Sequence, residues 1–309
     1  MAETPDPVRT QGLVKRYGDL VAVDGVDLRA RAGTCLGVLG PNGAGKTTTI
    51  EILEGLTRPD GGTAEIFGQN WADGGRKLRQ RIGVQLQETN LPPKLKVLEI
   101  LQIFASFYEA PRPTHEVLEL VGLQEKSKAR TSELSGGQHQ RLALGCAVIG
   151  DPDLLFLDEP TTGLDPQARR RVWEIVEQFK ESGRTVLLTT HYMDEAERLA
   201  DDLVILDHGK IISEGTPQEI IRTLGAENVI SVEVEGDFDL ASLGALEGVV
   251  ESRVDAGRAE LQVTRTDEVL PRVVTAVRDA GARVEDLHVH RPTLEDVFVS
   301  LTGRHIRDA

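Results

Sequence analysis

Gly40-Pro41-Asn42-Gly43-Ala44-Gly45-Lys46-Thr47 is a glycine-rich octapeptide that ends in a cation and a hydroxyl. It matches the phosphate-loop pattern G-x-x-x-x-G-K-[ST], and the apolar residues Cys35, Leu36, Val38 and Leu39 lead into it as a strand would. Glycines let backbone N–H groups approach phosphate oxygens without a Cβ in the way. A helix starting near Lys46 points its positive end at the same place. In this pattern Lys46 reaches the β- and γ-phosphates and Thr47 holds Mg²⁺, with Thr48 next along the chain. A plain glycine turn ahead of a helix is the competing reading. Further on, Leu154-Leu155-Phe156-Leu157 runs into Asp158-Glu159, an apolar strand that ends in two carboxylates. Mg²⁺ takes oxygen ligands, so Asp158 is a candidate metal ligand. Glu159 is placed to take a proton from attacking water. Leu134-Ser135-Gly136-Gly137-Gln138 is a second glycine-rich turn, before a helix expected over 140–149, and thus a second anion-binding helix start. One nucleotide needs one phosphate loop. The economical explanation is that the second turn contacts the γ-phosphate held by another subunit.

The elements that must position these residues follow from pattern. Residues 1–7 read as a tail. Residues 8–28 alternate apolar and polar, with turns at Tyr17-Gly18-Asp19 and Asp24-Gly25, which predicts antiparallel strands. The phosphate-loop helix is expected to run to about Leu56, a turn over 58–62 leads to a strand over 63–67, and 78–87 leads into another strand. From Glu88 to Gly150 the texture is helical. Residues 97–108 are apolar nearly all round, so that helix is either fully buried or docked on a partner. Residues 154–157 and 185–189 are short apolar runs suited to a parallel sheet covered on both faces. An amphipathic helix over 167–182 separates them, and Asp207-His208-Gly209-Lys210 is a hairpin turn. Residues 225–309 read as a separate domain in the order β-α-β-β-α-β, the ferredoxin-like split motif, ending in a helix capped by Thr293 and stopped by Gly303.

The chain has 309 residues and a formal net charge of −15. Residues 225–309 carry 17 Asp/Glu against 9 Arg, a net of −8. Such acidity opposes a nucleic-acid backbone, so no nucleic-acid partner is expected. The two cysteines, Cys35 and Cys146, lie in apolar sequence and suit buried thiols better than a disulfide. The N-terminal residues lack an export signal, and no run approaches eighteen apolar residues. The expectation is a cytoplasmic protein whose membrane role, if any, comes through a partner.

The phosphate loop, the LSGGQ turn and the strand-terminal Asp-Glu, in this order, resemble the nucleotide-binding domain of ABC ATPases over about residues 8–224. The resemblance implies an α/β P-loop NTPase domain with an antiparallel β subdomain and a helical subdomain over about 88–150, followed by a small α+β ferredoxin-like domain at 225–309. It implies ATP and Mg²⁺ as ligands. Tyr17 resembles the aromatic residue that stacks on adenine. Gln87 resembles the glutamine that contacts Mg²⁺ and relays nucleotide state, with Gln85 as the competing choice. Asp165 resembles the loop aspartate that crosses the dimer interface, and His191 the switch histidine at the γ-phosphate. The implied catalytic set is Glu159, His191, Lys46 and Gln87; Thr47, Gln87 and Asp158 hold the metal. Gly40 through Thr48, Tyr17, Asp165 and the turn Ser135-Gly136-Gly137-Gln138 contact nucleotide. One phosphate loop and one LSGGQ per chain imply a homodimer. Asn42, Gly163-Leu164-Asp165-Pro166 and His191-Tyr192-Met193-Asp194-Glu195-Ala196-Glu197 resemble ATPases of ABC-2 type exporters. Residues 291–298 resemble the C-terminal extension of daunorubicin-resistance-type members, which export drugs or other hydrophobic compounds. A separately encoded ABC-2 type permease is then implied, with this chain on the inner face of the cell membrane and residues 91–108 as the docking surface. A soluble ATPase switch with a ligand-sensing C-terminal domain is the other reading.

Overall fold

The computed structural model describes residues 5–87, 89–255 and 257–303. Residues 1–4 of the expected tail, Glu88 at the expected start of the helical region, Ala256 in the expected C-terminal hairpin and residues 304–309 lie outside them. The chain forms two compact units, the first running to Pro217 and the second starting at Gln218.

The first unit opens with β1 (Val8–Tyr17) and β2 (Leu20–Val26). They pair antiparallel around the turn at Gly18, with Tyr17 opposite Leu20. Asp24-Gly25, expected as a second turn, lies inside β2 instead. Gly25 takes a φ of 75° as the extra residue of a bulge between the Leu13–Val26 and Val14–Asp24 pairs, so the strand continues past it. β3 (Arg29–Ala30) and β5 (Gly61–Ile66) also pair antiparallel with β1. Between them lie β4 (Cys35–Leu39) and α1 (Lys46–Leu53), and α2 (Trp71–Arg81) leads into β6 (Ile82–Gln85).

The helical region contains α3 (Val97–Ala105), α4 (Thr114–Leu120) and α5 (Gly136–Val148). Their apolar residues, among them Leu101, Val117 and Leu144, form one core with Leu155 and Leu157 of β7 (Leu154–Asp158). α3 is not fully buried. Val97, Ile100 and Leu101 face the core, whereas Ile103 is 42% exposed and Phe107, just beyond the helix, is 64% exposed. α5 starts at Gly136, earlier than expected, because Ser135 and Gln138 cap it reciprocally. The Gln138 N–H donates to Ser135 Oγ (3.3 Å), and the Ser135 N–H to Gln138 Oε1 (3.0 Å).

α6 (Pro166–Glu181), β8 (Thr185–Thr190), α7 (Met193–Leu199), β9 (Asp202–Asp207) and β10 (Lys210–Gly215) complete the unit. Its main sheet has the order β10-β9-β4-β8-β7-β6, parallel except for the β9–β10 hairpin. β4, β7 and β8 are buried at every position, as continuous apolar runs between two layers must be. The carboxyl ends of β4, β8, β7 and β6 are therefore neighbours, and ligand sites of α/β sheets form beyond such ends. Cys35 and Cys146 are buried and free, their thiols pushed up to about 12 by burial.

α8 (Pro217–Arg222) precedes β11 (Asn228–Glu235), β12 (Val249–Asp255), β13 (Arg258–Val263), α9 (Thr266–Asp279), β14 (Arg283–His290) and α10 (Leu294–Thr302). Composition places the domain change at 225; the second unit takes in most of α8 as well. A single 3-10 turn, Leu240–Ala245, stands where the first helix of the split motif is expected. The sheet order β12-β13-β11-β14 is antiparallel throughout, so each βαβ step straddles a strand of the other. α10 is capped by Thr293 and ends at Gly303 in the left-handed region.

Candidate active site

β4 ends at Leu39 and the chain turns through Gly40–Gly45 into α1. Gly45, the N-cap, has a φ of 99°, and a Cβ there would stand 2.3 Å from the Ala22 carbonyl oxygen. The close approach of loop to β2 thus requires glycine. Lys46 begins the helix and folds back over the loop. Its Nζ donates to the carbonyls of Gly40 (2.8 Å) and Pro41 (3.1 Å) and lies 3.2 Å from Glu159 Oε1. Tyr17, Leu20, Ala22, Asn42, Gly43, Gly45, Lys46, Thr47, Thr48, Gln87 and Glu159 line one cleft of about 340 Å³. Tyr17 is 48% exposed at its mouth, with the Lys15 ammonium 5.4 Å from its ring centre.

Three neighbouring strand ends, those of β6, β7 and β8, supply the rest. Asp158 closes β7 and accepts a very short hydrogen bond from the Thr189 hydroxyl of β8. Burial pushes its carboxyl up against that hydrogen bond, and the neighbouring Glu159 charge pushes the same way. Glu159 has a φ of 46°, a strained backbone for a residue with a side chain. Its N–H holds it there by donating to Thr189 Oγ1 (3.0 Å) and to the Thr189 carbonyl (3.2 Å). Gln87 Nε2 and Thr162 Oγ1 donate to Glu159 Oε2 at 3.3 and 3.2 Å, and His191 Nδ1 lies 3.1 Å from the same oxygen. Burial raises the Glu159 carboxyl, but the His191 ring and the Lys46 ammonium outweigh it and bring it down to about 2. Two adjacent carboxyls are thus driven apart, one toward the neutral form and one held ionised.

Gln87 reaches Glu159, whereas the competing Gln85 is buried with neither side-chain polar atom bonded. Ser135, Gly136, Gly137, Gln138 and Asp165 are not among the residues lining the cleft. The start of α5 and the start of α6 approach each other instead. Asp165 caps α6 by accepting from the N–H groups of Gln167 and Ala168 (both 2.9 Å), and a Cβ on Gly137 would stand 2.8 Å from that of Ala168. Gly136 differs: it is exposed, and a Cβ there would meet nothing within 4 Å. Sequence reasoning missed Leu20 and Ala22, which only the β1–β2 pairing brings to the cleft. It also missed Thr189, whose hydroxyl serves both acidic residues. The strand-terminal pair Thr189-Thr190 ahead of His191 is a signal that could have found it. Glu195 was likewise unassigned. It is fully buried and accepts from Thr161 Oγ1 (2.8 Å) and Trp173 Nε1 (2.7 Å), tying the segment after Glu159 to α6 and α7.

The strand–loop–helix with Lys46 at its start and acidic residues at the next strand ends define a P-loop nucleotide-binding domain. The ABC transporter family model matches residues 23–162, and the model described as ATP-binding protein DrrA1-3-like, C-terminal domain matches residues 215–302. The chain is 43% identical over 306 residues to the Nod factor export ATP-binding protein I of Ralstonia nicotianae, covering 96% of this chain and 94% of that one. It is 40% identical over 318 residues to the daunorubicin resistance ATP-binding protein DrrA3 of Streptomyces coeruleorubidus, covering all of both. The solved dimeric post-hydrolysis state of the ATP-binding cassette MJ0796, bound to ADP and Pi, superposes with a TM-score of 0.61 at 25% identity, over 68% of this chain and 98% of that one. The chain therefore belongs to the ABC transporter ATP-binding family, whose members hydrolyse ATP.

Proposed function

We propose that this ATPase is the motor subunit of an ABC-2 type exporter, working as a homodimer that closes on two ATP molecules and drives efflux of a hydrophobic compound through a separate permease. The observation that carries the reading is the split of the site. One chain gathers Lys46, Gln87, Asp158, Glu159 and His191 around the phosphate loop, and leaves the Ser135–Gln138 turn outside the cleft. Gly136 supports a partner at that turn, since its φ is not positive and nothing in its own chain demands a missing side chain. The solved MJ0796 cassette is described as dimeric, and both relatives carry export or drug resistance in their names.

The donor set fits Mg²⁺. The Thr47 hydroxyl, the Asp158 carboxylate and the Gln87 carbonyl are hard oxygen ligands, and a cation would offset the desolvation that raises Asp158. Bound there, the ion would neutralise phosphate charge. Tyr17 stacks on the base. Lys46 exchanges its loop carbonyls and Glu159 for phosphate oxygens, which frees the Glu159 carboxylate to take a proton from water. His191, bonded through Nδ1 to Glu159, holds that carboxylate in place. The amides at Gly136 and Gly137 of a second chain close over the γ-phosphate, with Asp165 at the same face. Moving such a dimer from mostly open to mostly closed needs ATP to favour the closed form by about 5.5 kcal/mol. No helix among the described residues is long and apolar enough to cross a membrane, so membrane attachment in this reading comes through the permease.

The test is light scattering of Glu159→Gln in ATP and Mg²⁺. The expected outcome is a stable dimer that binds ATP and does not turn over. A chain that stays single, with the permease present as well, removes the dimer and with it the role of the Ser135–Gln138 turn.

A further inference from the structure

Lys15 keeps little of its side chain in water: 14% of it is exposed. Its Nζ donates to the Arg58 carbonyl (2.8 Å) and to Asp60 Oδ1 (3.2 Å), and it lies over the Tyr17 ring, 5.4 Å from the ring centre. Lysine ordinarily leaves its ammonium in solvent, because withdrawing the charge is costly and fixing the long stem loses rotamer freedom. Here two oxygen acceptors and an aromatic face offset both costs.

Asp60 is itself tethered. Its N–H donates to the Val14 carbonyl (2.8 Å), and its Oδ2 accepts from the Arg16 N–H (2.7 Å). That N–H and the Lys15 ammonium hold the Asp60 carboxyl below the usual range. The carboxylate is thus joined to β1 on both sides of Lys15. Arg58 and Asp60 belong to the turn between α1 and β5, so the helix that begins at Lys46 is linked at its far end to the strand that carries Tyr17. The hairpin is irregular at the same place. Lys15 pairs with Val23 and Arg16 with Val21, which leaves Ala22 as the extra residue of a bulge. Ala22 lines the cleft with Tyr17 and Leu20, and its carbonyl is the one that excludes a Cβ at Gly45. Bulges beside a site re-aim neighbouring side chains.

We infer that Lys15, tethered by Asp60, is a positioning residue for nucleotide: its ammonium holds one face of the Tyr17 ring, and the adenine base stacks on the other. The inference rests on the proposed stacking of the base on Tyr17 and adds what orients the ring. A half-exposed tyrosine samples several rotamers, and a ring fixed beforehand spares each binding event the cost of ordering it.

The experiment measures equilibrium binding of ATP and of inorganic tripolyphosphate, each with Mg²⁺, to the full chain by isothermal titration calorimetry. Tripolyphosphate carries the phosphates without the base, so it reads the phosphate loop alone. Lys15→Met, which keeps an unbranched stem and removes the charge, is expected to weaken ATP about fivefold and to leave tripolyphosphate within about twofold. Asp60→Asn, at an exposed turn residue, loosens the ammonium, weakens ATP about twofold in the same base-dependent way, and carries the comparison should the lysine variant not fold. Tyr17→Leu weakens ATP more than either and removes the effect of Lys15→Met in the double variant. In either variant, unchanged ATP affinity, or an equal loss for the two ligands, overturns the inference and leaves the stacking reading standing. An effect of Lys15→Met that persists without Tyr17 does the same. A Tyr17→Leu chain that binds ATP like wild type overturns the stacking reading and the inference with it.

Discussion

Gly45 and Ser135 each stand at the N-cap of a helix within a glycine-rich turn, yet their surroundings differ. Gly45 is pressed against β2, and the helix it starts delivers a buried lysine beside a buried glutamate. Ser135 is exposed, its hydroxyl and the Gln138 side chain satisfy the first turn of α5, and Gly136 beside it meets nothing. Two helix starts of the same kind thus have different surroundings. One is built into the cleft beside Glu159. The other lies outside that cleft, where in the proposed dimer it serves a nucleotide that arrives from outside.

The largest effect should come from blocking that outside approach. Ser135→Arg is expected to lower hydrolysis by about a hundredfold or more, the scale of losing a donor to the reacting phosphate. Binding of a fluorescent ATP analogue by the single chain should remain. The lost cap costs about 1 kcal/mol of helix stability, so circular dichroism accompanies the assay. If monomer binding disappears with the helix intact, the two turns serve the same nucleotide. The next effect is at Gly45. Gly45→Ala should cost more than about 2 kcal/mol in urea unfolding, because its φ is positive and its Cβ collides with the Ala22 carbonyl.

At the far end of α1, pH separates Glu54 from the ionised carboxylate of the cleft. The folded value of about 8 lies above the ordinary 4.5, so the folded state holds a proton that the unfolded chain has released. Stability from this group is complete below pH 4.5 and is lost as pH rises toward 8. Glu54→Gln should remove a slope of up to about 1.4 kcal/mol per pH unit in that window. Parallel wild-type and variant curves would place the carboxyl in water. The smallest effect belongs to Gly136→Ala, which should change unfolding free energy by no more than about 0.5 kcal/mol while lowering turnover. A large stability loss there would mean that its own chain needs the glycine.

Much of this was legible in the residues. The phosphate loop is local, since glycines at fixed offsets before Lys46 state both the turn and the helix. The runs 154–157 and 185–189 read as buried strands because a parallel sheet leaves no polar face, and both are strands in the structure. The capping pair Thr293 and Gly303 bounded the last helix for the same local reason. Other features were hidden. Asp24-Gly25 has the composition of a turn, but a bulge absorbs the left-handed glycine and the strand runs on along β1. The short segment 97–105 is apolar on most sides, and nothing in its spelling says which side the neighbouring helices cover. Nothing in the sequence sets Glu54 apart from other acids near a helix end. Its isolation depends on α2, α3 and β6 closing around it.

Chain order alone therefore determined where the residue types suited to phosphate binding and proton acceptance stand, because those patterns are short and their geometry follows from the backbone of one turn. Only the folded sheet decided that Thr189 serves Asp158 and Glu159 together and that Gln87, not Gln85, reaches the carboxylate. Only the folded sheet left Gly136 outside the cleft that Lys46 enters. Those relations join residues far apart in sequence, and strand order and register, set by burial of whole faces, are what bring such residues within hydrogen-bonding distance.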